Sequence, residues 1–303
     1  MVNKLIKLFF NSSYRFILLA NKGFYNSMDD EKYLKLRYKA IFGKELDLHQ
    51  PRSFNEKLQW LKLYNRKPEY TMMVDKYRVK DYVSKKIGDE YIIKTLGVWN
   101  SPDEIDFNTL PNQFVLKCNH NSGLGMYICK DKDAIDEKIV RKELQKGLNQ
   151  DYYLIGREWP YKNVDRRIIA EEYMVDKQYS ELRDYKVLCF NGEPKVIEYH
   201  AGRFTDHQTQ DFFNEKWEKM SISQSNVSGF GSSNMQIPKP ILLNRMLELS
   251  AVLSEGIPHV RIDWYIVENK LYFGEITFFD GSGFDPFDDY EDDLMLGEWI
   301  KIE

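Results

Sequence analysis

Residues 259–277 constrain the fold more than any other part of the chain. Two β-rich runs, His259–Tyr265 and Leu271–Thr277, flank the polar segment Val267-Glu268-Asn269-Lys270, a pattern that folds as a hairpin. With the turn centred on Asn269, antiparallel pairing sets Asp263 opposite Glu275 and Arg261 opposite Thr277. Side chains alternate along a strand, so Arg261, Asp263, Glu275 and Thr277 share one face. Ile262, Trp264 and Ile276 point the other way, toward a core. Two facing carboxylates repel unless something positive lies between them. Mg²⁺ takes such hard oxygen ligands, one or two carboxylates together with substrate phosphates. The adjacent Arg261 and the loop Phe279-Asp280-Gly281-Ser282-Gly283 favour a metal–nucleotide site over an exposed face of scattered charges.

With 303 residues, 43% hydrophobic and 30% charged, the chain has ample core for one large domain or two to three small ones. A net charge of −4 argues against a dedicated nucleic-acid binder. Cys118, Cys129 and Cys189 are odd in number and lack metal-ligand or C-x-x-C spacing, so they read as buried thiols in a reducing compartment. No run approaches the roughly 18 apolar residues of a membrane span. At the N-terminus Leu5, Ile6, Leu8, Phe9, Phe10 and Phe16-Ile17-Leu18-Leu19 alternate with Lys4, Lys7, Arg15 and Lys22. A secretory signal would have a longer unbroken apolar centre and a small-residue cleavage site. An amphipathic helix packed on the domain is expected, with peripheral membrane contact as the alternative.

Residues 1–110 read as helical: Asp29–Ile41, Ser53–Tyr64 with a Ser53/Glu56 capping box, and Met72–Ile87. From Gln113 the character changes to strands at Gln113–Cys118, Met126–Cys129 and Arg167–Val175, with a polar helix at Asp133–Leu148. Asp184–Phe190 and Glu193–Tyr199 flank Asn191-Gly192, a strong hairpin signal. Residues 203–239 have few periodic apolar positions and read as a mobile loop. Pro240 opens a helix closed by Gly256. The fold class is α+β, a helical N-terminal part followed by antiparallel hairpins.

Lys117 ends the apolar strand Phe114-Val115-Leu116, directly before Asn121-Ser122-Gly123-Leu124-Gly125. Glycines let backbone N–H groups approach phosphate oxygens, and a lysine supplies the point charge. The loop fits neither GxxxxGK[ST] nor GxGxxG. Asp184 and Lys186 share a face of the Asn-Gly hairpin. Glu171 and Glu172 fall on opposite faces of their strand, so one of them turns to the packed side and needs a donor there.

The order of these features resembles the ATP-grasp superfamily, and most closely its TupA-like family, associated with teichuronopeptide and capsular polysaccharide synthesis. The matching runs are Asp75-Lys76-Tyr77, Gly97-Val98-Trp99, Phe114–His120, Gly156–Tyr161, Ala170–Tyr173, Asp184-Tyr185-Lys186 and Phe273–Phe278, spread over about residues 50–290. The resemblance implies an ATP-grasp fold of two α+β lobes clasping ATP. A helical region at 1–110 would precede a nucleotide lobe with a Gly-rich flap at 111–174 and a C-terminal lobe at 175–303. It further implies that Lys117 contacts nucleotide phosphates beneath a flap carrying Ser122, Gly123 and Gly125. The segment Glu171, Glu172, Tyr173 and Met174 would hold adenine, Asp176 or Gln178 would reach the ribose, and Asp184 would line the site. Lys186 would be a second phosphate cation with a catalytic role. Asp263, Glu275 and Thr277 would bind Mg²⁺, Thr277 departing from the superfamily's usual Glu-x-Asn. Arg261-Ile262-Asp263 is similar to the Arg-x-Asp run of D-alanine–D-alanine ligases, where the arginine stabilises the acyl phosphate.

The activity implied is that of an ADP-forming carboxylate–amine ligase that joins an amino acid or amine to a uronic acid of a surface polysaccharide or its precursor. Arg157, Arg166, Arg167 and Arg203 are candidates for an anionic acceptor, and Trp159 and Tyr161 for a sugar ring. The protein is expected in the cytoplasm, with ATP and Mg²⁺ as cofactors and no nucleic-acid partner. Two alternatives stand beside this reading: a small-molecule or glycan kinase, and a non-catalytic nucleotide-binding partner of a glycosyltransferase complex.

Overall fold

The computed structural model describes residues 11–176, 182–202 and 208–302. Two antiparallel sheets organise it. The smaller has the order β1-β4-β2-β3, from Thr95–Trp99 (β1), Phe114–Cys118 (β2), Met126–Cys129 (β3) and Ile168–Glu172 (β4). The larger has the order β7-β6-β5-β8-β9, from Arg183–Phe190 (β5), Glu193–Ala201 (β6), Thr209–Asn214 (β7), His259–Val267 (β8) and Lys270–Thr277 (β9). Helices Ser12–Asn21 (α1), Asp30–Phe42 (α2), Phe54–Tyr64 (α3), Glu69–Val74 (α4) and Val79–Ile87 (α5) precede the sheets. Glu137–Asn149 (α6) and Tyr153–Gly156 (α7) lie between β3 and β4, Ser225–Ser228 (α8) and Leu243–Ser254 (α9) between β7 and β8, and Tyr290–Trp299 (α10) follows β9.

Alternation decides which face of each sheet is buried. In the smaller sheet Phe114, Leu116 and Cys118 pack with Val140 and Leu144 of α6. Val115 and Lys117 therefore face away from that helix. In the larger sheet Tyr185, Val187, Ile197, Ile262 and Trp264 join Met246, Leu249 and Leu253 of α9 in the main core. The indole of Trp264, wholly buried, donates to Ser250 Oγ at 2.8 Å. Asp184, Lys186, Glu198, Arg261 and Asp263 are left on the opposite face.

Both hairpin turns form where expected. Asn191 and Gly192 take φ of 52° and 84°, and Glu268 and Asn269 take 49° and 61°. These left-handed pairs match the strand twist of a two-residue turn. The β8–β9 ladder pairs Arg261 with Thr277 and Ile262 with Ile276, but then Trp264 with Phe273. Gly274 and Glu275 thus share the place opposite Asp263, a bulge in the expected register. A Cβ on Gly274 would lie 3.1 Å from the Asp263 carbonyl oxygen, so glycine keeps the two strands close there.

Several local expectations need correction. The helix expected over Met72–Ile87 is two, broken at Asp75-Lys76, because the Asp75 carboxylate accepts from the N–H groups of Tyr77 and Arg78 and starts a second helix. The strand expected through Val175 ends at Glu172. A lobe boundary at 110 would cut off β1, which pairs with β4. Inside the span 203–239 lies an edge strand, β7, where Phe212 and Phe213 are both buried. Two adjacent buried aromatics hide the alternation by which a half-buried strand is normally recognised. α1 packs on the domain as expected: Phe16 stacks on Tyr25 at 4.9 Å and touches Tyr33. Residues 1–10 lie outside the described residues.

Candidate functional site

On the small sheet's open face, Lys117 Nζ lies 2.5 Å from Glu171 Oε2, and Lys80 Nζ lies 2.7 Å from Glu171 Oε1. Burial opposes the Glu171 charge, but the two lysines hold its carboxyl below the usual range. Its side chain is therefore taken up by cations, and Glu172 is the acid left exposed. Met126 pairs with Lys117 and Ile128 with Val115, so these half-exposed side chains line the same face and give it an apolar floor.

The flap is pinned at its base and open at its tip. Asn121 Nδ2 donates to Gly147 O and Gln150 Oε1. A Cβ on Gly125 would lie 2.8 Å from Gly147 Cα and 2.9 Å from Cys118 Sγ, whereas one on Gly123 would meet nothing within 4 Å. Gly125 is there for packing and Gly123 for its φ of 82°.

On the large sheet three oxygens converge on one cation. Arg261 Nη2 lies 2.8 Å from Asp263 Oδ2, 3.2 Å from Glu275 Oε1 and 3.4 Å from Thr277 Oγ1. Its Nε adds a 2.7 Å contact to Asp263 Oδ1, and its Nη1 bonds Asp280. Burial pushes the Asp263 carboxyl up to about 7 against the pull of Arg261 and Lys186. Burial acts on Glu275 too, but Lys76 and Arg261 hold it well below the carboxylate range. Lys186 Nζ lies 3.0 Å from Asp184 Oδ2, and Asp184 and Asp263 outweigh burial to keep the ammonium above its usual range.

Lys76 was part of a matching run but had no assigned role. Its Nζ stands 3.1 Å from Glu275 Oε2 and donates to Asn121 O at 3.0 Å, linking flap and metal strand. The signal that could have found it is the helix break, where Asp75 ends the short α4 and its carboxylate accepts from the Tyr77 and Arg78 N–H groups, leaving Lys76 in a turn rather than within a helix.

A buried staple supports this end of the site. Lys62, with no exposed surface, donates to Ser282 O at 2.6 Å, Gly156 O at 2.7 Å and Gln59 Oε1 at 3.0 Å. It thereby ties α3 to the turn that carries Asp280 and Ser282, whose φ is 55°. Glu158 is buried nearby, its carboxyl raised by desolvation despite Lys62.

Other expected residues are engaged elsewhere. Asp176 is buried and its carboxylate lies 3.4 Å from Arg183. Tyr173 and Met174 sit in the irregular connection after β4, half-buried. Gln178 and Arg203 lie outside the described residues. Arg157 is not available to an anionic acceptor: it is buried and donates to Tyr25 O at 2.7 Å and Asn26 O at 3.2 Å. Arg166 pairs with Asp151 at 3.6 Å, and Arg167 lies over the Tyr77 ring. Trp159 packs beside Tyr70 and Tyr161 edge-on to Tyr152.

The donor set suits Mg²⁺: two carboxylates and a hydroxyl meet at a point already marked by a cation, with room in the coordination shell for phosphate oxygens. Among the described residues no three of His, Cys, Asp and Glu converge, so the protein alone supplies an incomplete shell.

Two antiparallel sheets, with a lysine and glycine flap facing an acidic hairpin, define the ATP-grasp class. The chain matches the TupA-like ATPgrasp family over residues 56–301 and belongs to that family. Solved structures similar to it include D-alanine–D-alanine ligase from Bacillus anthracis complexed with ATP, at 14% identity and a TM-score of 0.41, over 80% of this chain and 62% of that one. The D-alanine–D-alanine ligase from Helicobacter pylori is 17% identical, with a TM-score of 0.41, over 82% and 69%. N5-carboxyaminoimidazole synthase from Aspergillus clavatus, in complex with ADP and 5-aminoimidazole ribonucleotide, is 13% identical, with a TM-score of 0.40, over 77% and 52%. The chain thus spans 62% of the length of the first of these. No curated protein matches it.

Proposed function

We propose that the protein is an ATP-dependent carboxylate–amine ligase. The observation that carries this reading is the convergence of Asp263, Glu275 and Thr277 on Arg261, with Lys76 and Lys186 alongside and the Lys117 flap belonging to the facing lobe. A carboxylate oxygen attacks the γ-phosphorus of ATP, and ADP leaves, giving an acyl phosphate. An amine nitrogen then attacks the acyl carbon; the phosphate leaves, the nitrogen loses its proton, and an amide remains. There is little covalent work for the protein here, so catalysis is positioning and charge neutralisation.

Lys117, Lys76 and Lys186 hold the phosphate oxygens, and the backbone from Glu171 to Met174 receives the adenine. The flap residues Ser122, Gly123 and Gly125 cover the phosphates. Asp263 and Glu275, with Thr277, hold Mg²⁺, which supplies charge neutralisation at the transferring phosphoryl group. Arg261 is anchored by Asp280 on the side away from the metal pair, so its fork stays in place beside the acyl phosphate.

The carboxylate in this reading is that of a uronic acid of a surface polysaccharide or its precursor, as the sequence resemblance implies, and its partner is an amino acid or amine. No helix among the described residues is long and apolar enough to cross a membrane. A cytoplasmic site of action, where ATP is available, fits the reading. The test is ADP release by the full chain against a panel of uronic-acid glycans with amino acids and amines, with mass spectrometry of the products. An amide product supports ligation; ADP and a stable phosphorylated product without amine would make it a kinase.

A further inference from the structure

The polar face of the large sheet does not stop at the phosphate and metal residues. β5–β6 pairing sets Glu198 beside Lys186 and His200 beside Asp184, and β6–β7 pairing sets Gln210 beside His200. Adjacent strands lie about 4.8 Å apart, so Glu198 stands one strand from Lys186 and roughly 10 Å from Asp263.

Glu198 is 5% exposed and Gln210 8%. Glu198 Oε1 receives two donors, His200 Nε2 at 2.5 Å and Gln210 Nε2 at 2.8 Å. That contact fixes the Gln210 amide, since its nitrogen must face the carboxylate. The two oxygens left over, Glu198 Oε2 and Gln210 Oε1, are buried and have no partner. Lys186 does not fill the gap, because its ammonium pairs with Asp184. A third acceptor belongs to the same region. Gln210 reaches Gln224 Oε1 at 3.4 Å, and Gln224 Nε2 donates to the Asp285 carbonyl at 3.2 Å. Burial, with Asp280 and Glu198 nearby, raises the Asp285 carboxyl to about 6 against a smaller opposing pull from Arg37.

Buried acceptors left without donors are costly, and the cost is recovered when a ligand supplies the donors. An ammonium group has three donors and no acceptor, which matches a set that offers only acceptors and net negative charge. A hydroxyl offers one donor and would leave the set underused.

We propose that Glu198, Gln210 and Asp285 form a binding site for a primary ammonium group, the amine substrate's, one strand beyond Lys186. The proposal rests on the ligase reading for the identity of its ligand but not for its test. The full chain saturated with Mg·ADP is titrated calorimetrically with methylammonium, glycine, ethanolamine and glucosamine. Ethylene glycol and N-acetylglucosamine serve as neutral counterparts. At least one ammonium compound binds and its neutral counterpart does not. Glu198→Gln weakens that binding at least tenfold while the affinity for Mg·ADP is unchanged. Asp285→Asn, at the rim, repeats the loss should Glu198→Gln fail to fold. Binding by the neutral counterpart as well, no binding by any ammonium compound, or full binding by the folded variants would overturn the site. Because no turnover is read, loss of the site leaves the ligase reading standing. Failure to form ADP with any carboxylate likewise leaves the ammonium site standing.

Discussion

Lys76 Nζ stands 3.1 Å from Glu275 Oε2, so the break between α4 and α5 delivers a cation directly to a carboxylate of the last strand. The same ammonium donates to the Asn121 carbonyl at the root of the flap. Lys76 therefore joins the three parts that must close around a nucleotide. Lys76→Met is expected to weaken Mg·ATP binding about tenfold or more, in keeping with the roughly 1.5–3 kcal/mol of a hydrogen bond to a charged group. Calorimetric titration reads this directly, and unchanged affinity would reduce Lys76 to a structural tie.

Asp263→Asn and Glu275→Gln are each expected to abolish Mg²⁺-dependent ADP formation while leaving the fold intact, because each removes one of the two carboxylates that meet at Arg261 Nη2. Arg261→Ala should bind ATP nearly normally and lose amide formation. The expected barrier increase is about 2.7–4 kcal/mol, as for removal of one preorganised donor. Arg261→Lys should rescue only partly, since a point charge cannot reproduce the fork. Equilibrium ATP binding and single-turnover product formation separate the two steps. Lost affinity with an intact chemical rate would make Arg261 a nucleotide-binding residue.

Lys62→Met should destabilise the protein by roughly 3 kcal/mol, because two buried carbonyls, of Gly156 and Ser282, lose their donor. Gly156→Ala should act on the same contact, since its Cβ would fall 1.8 Å from Ser282 Oγ, at a cost of about 1–3 kcal/mol. Denaturant unfolding measures both. Changes within about 0.5 kcal/mol, the range of ordinary surface substitutions, would contradict the staple.

His259 is buried against Phe54 and Phe190 with both ring nitrogens unpartnered, and burial lowers it to about 3. The unfolded chain takes up a proton near the ordinary value of 6.5, and the folded chain does not until about 3. Stability is therefore present above 6.5 and lost as pH falls toward 3. His259→Phe should flatten the pH dependence of the unfolding midpoint across that window. An unaltered slope would show that other groups govern acid unfolding.

Within the span 203–239, limited proteolysis should cut between 229 and 239 and spare Thr209–Asn214. Met235 is 79% exposed in irregular chain, whereas β7 is hydrogen-bonded to β6 and carries buried Phe212 and Phe213. First cleavage inside β7 would contradict this order.

Local chemistry made much of this protein legible. Asn191-Gly192 and Glu268-Asn269 each dictate a tight turn between β-rich runs, and alternation then assigns Arg261, Asp263, Glu275 and Thr277 to one face without any tertiary information. The Ser53/Glu56 capping box set the start of α3 for the same reason, since every contact in it is made within one turn. The bulge at Gly274-Glu275 was not legible, because a two-against-one register depends on how closely a partner strand approaches.

Only the tertiary structure could reveal long-range partners. Nothing local to Lys62 sets it apart from other helical cations; only the fold brings the carbonyls of Gly156 and Ser282 onto its ammonium. Arg157 looked like a ligand for anions until the backbone of Tyr25 and Asn26 took it up. One acid of Glu171-Glu172 needed a donor on the packed side, and only the fold shows that Lys80 and Lys117, from separate segments, supply it to Glu171. Periodicity and turn residues fix which way a side chain points, because those are properties of a few consecutive dihedrals. What that side chain meets depends on packing between segments distant in the chain, and burial there changes the energy of a charge more than its identity does.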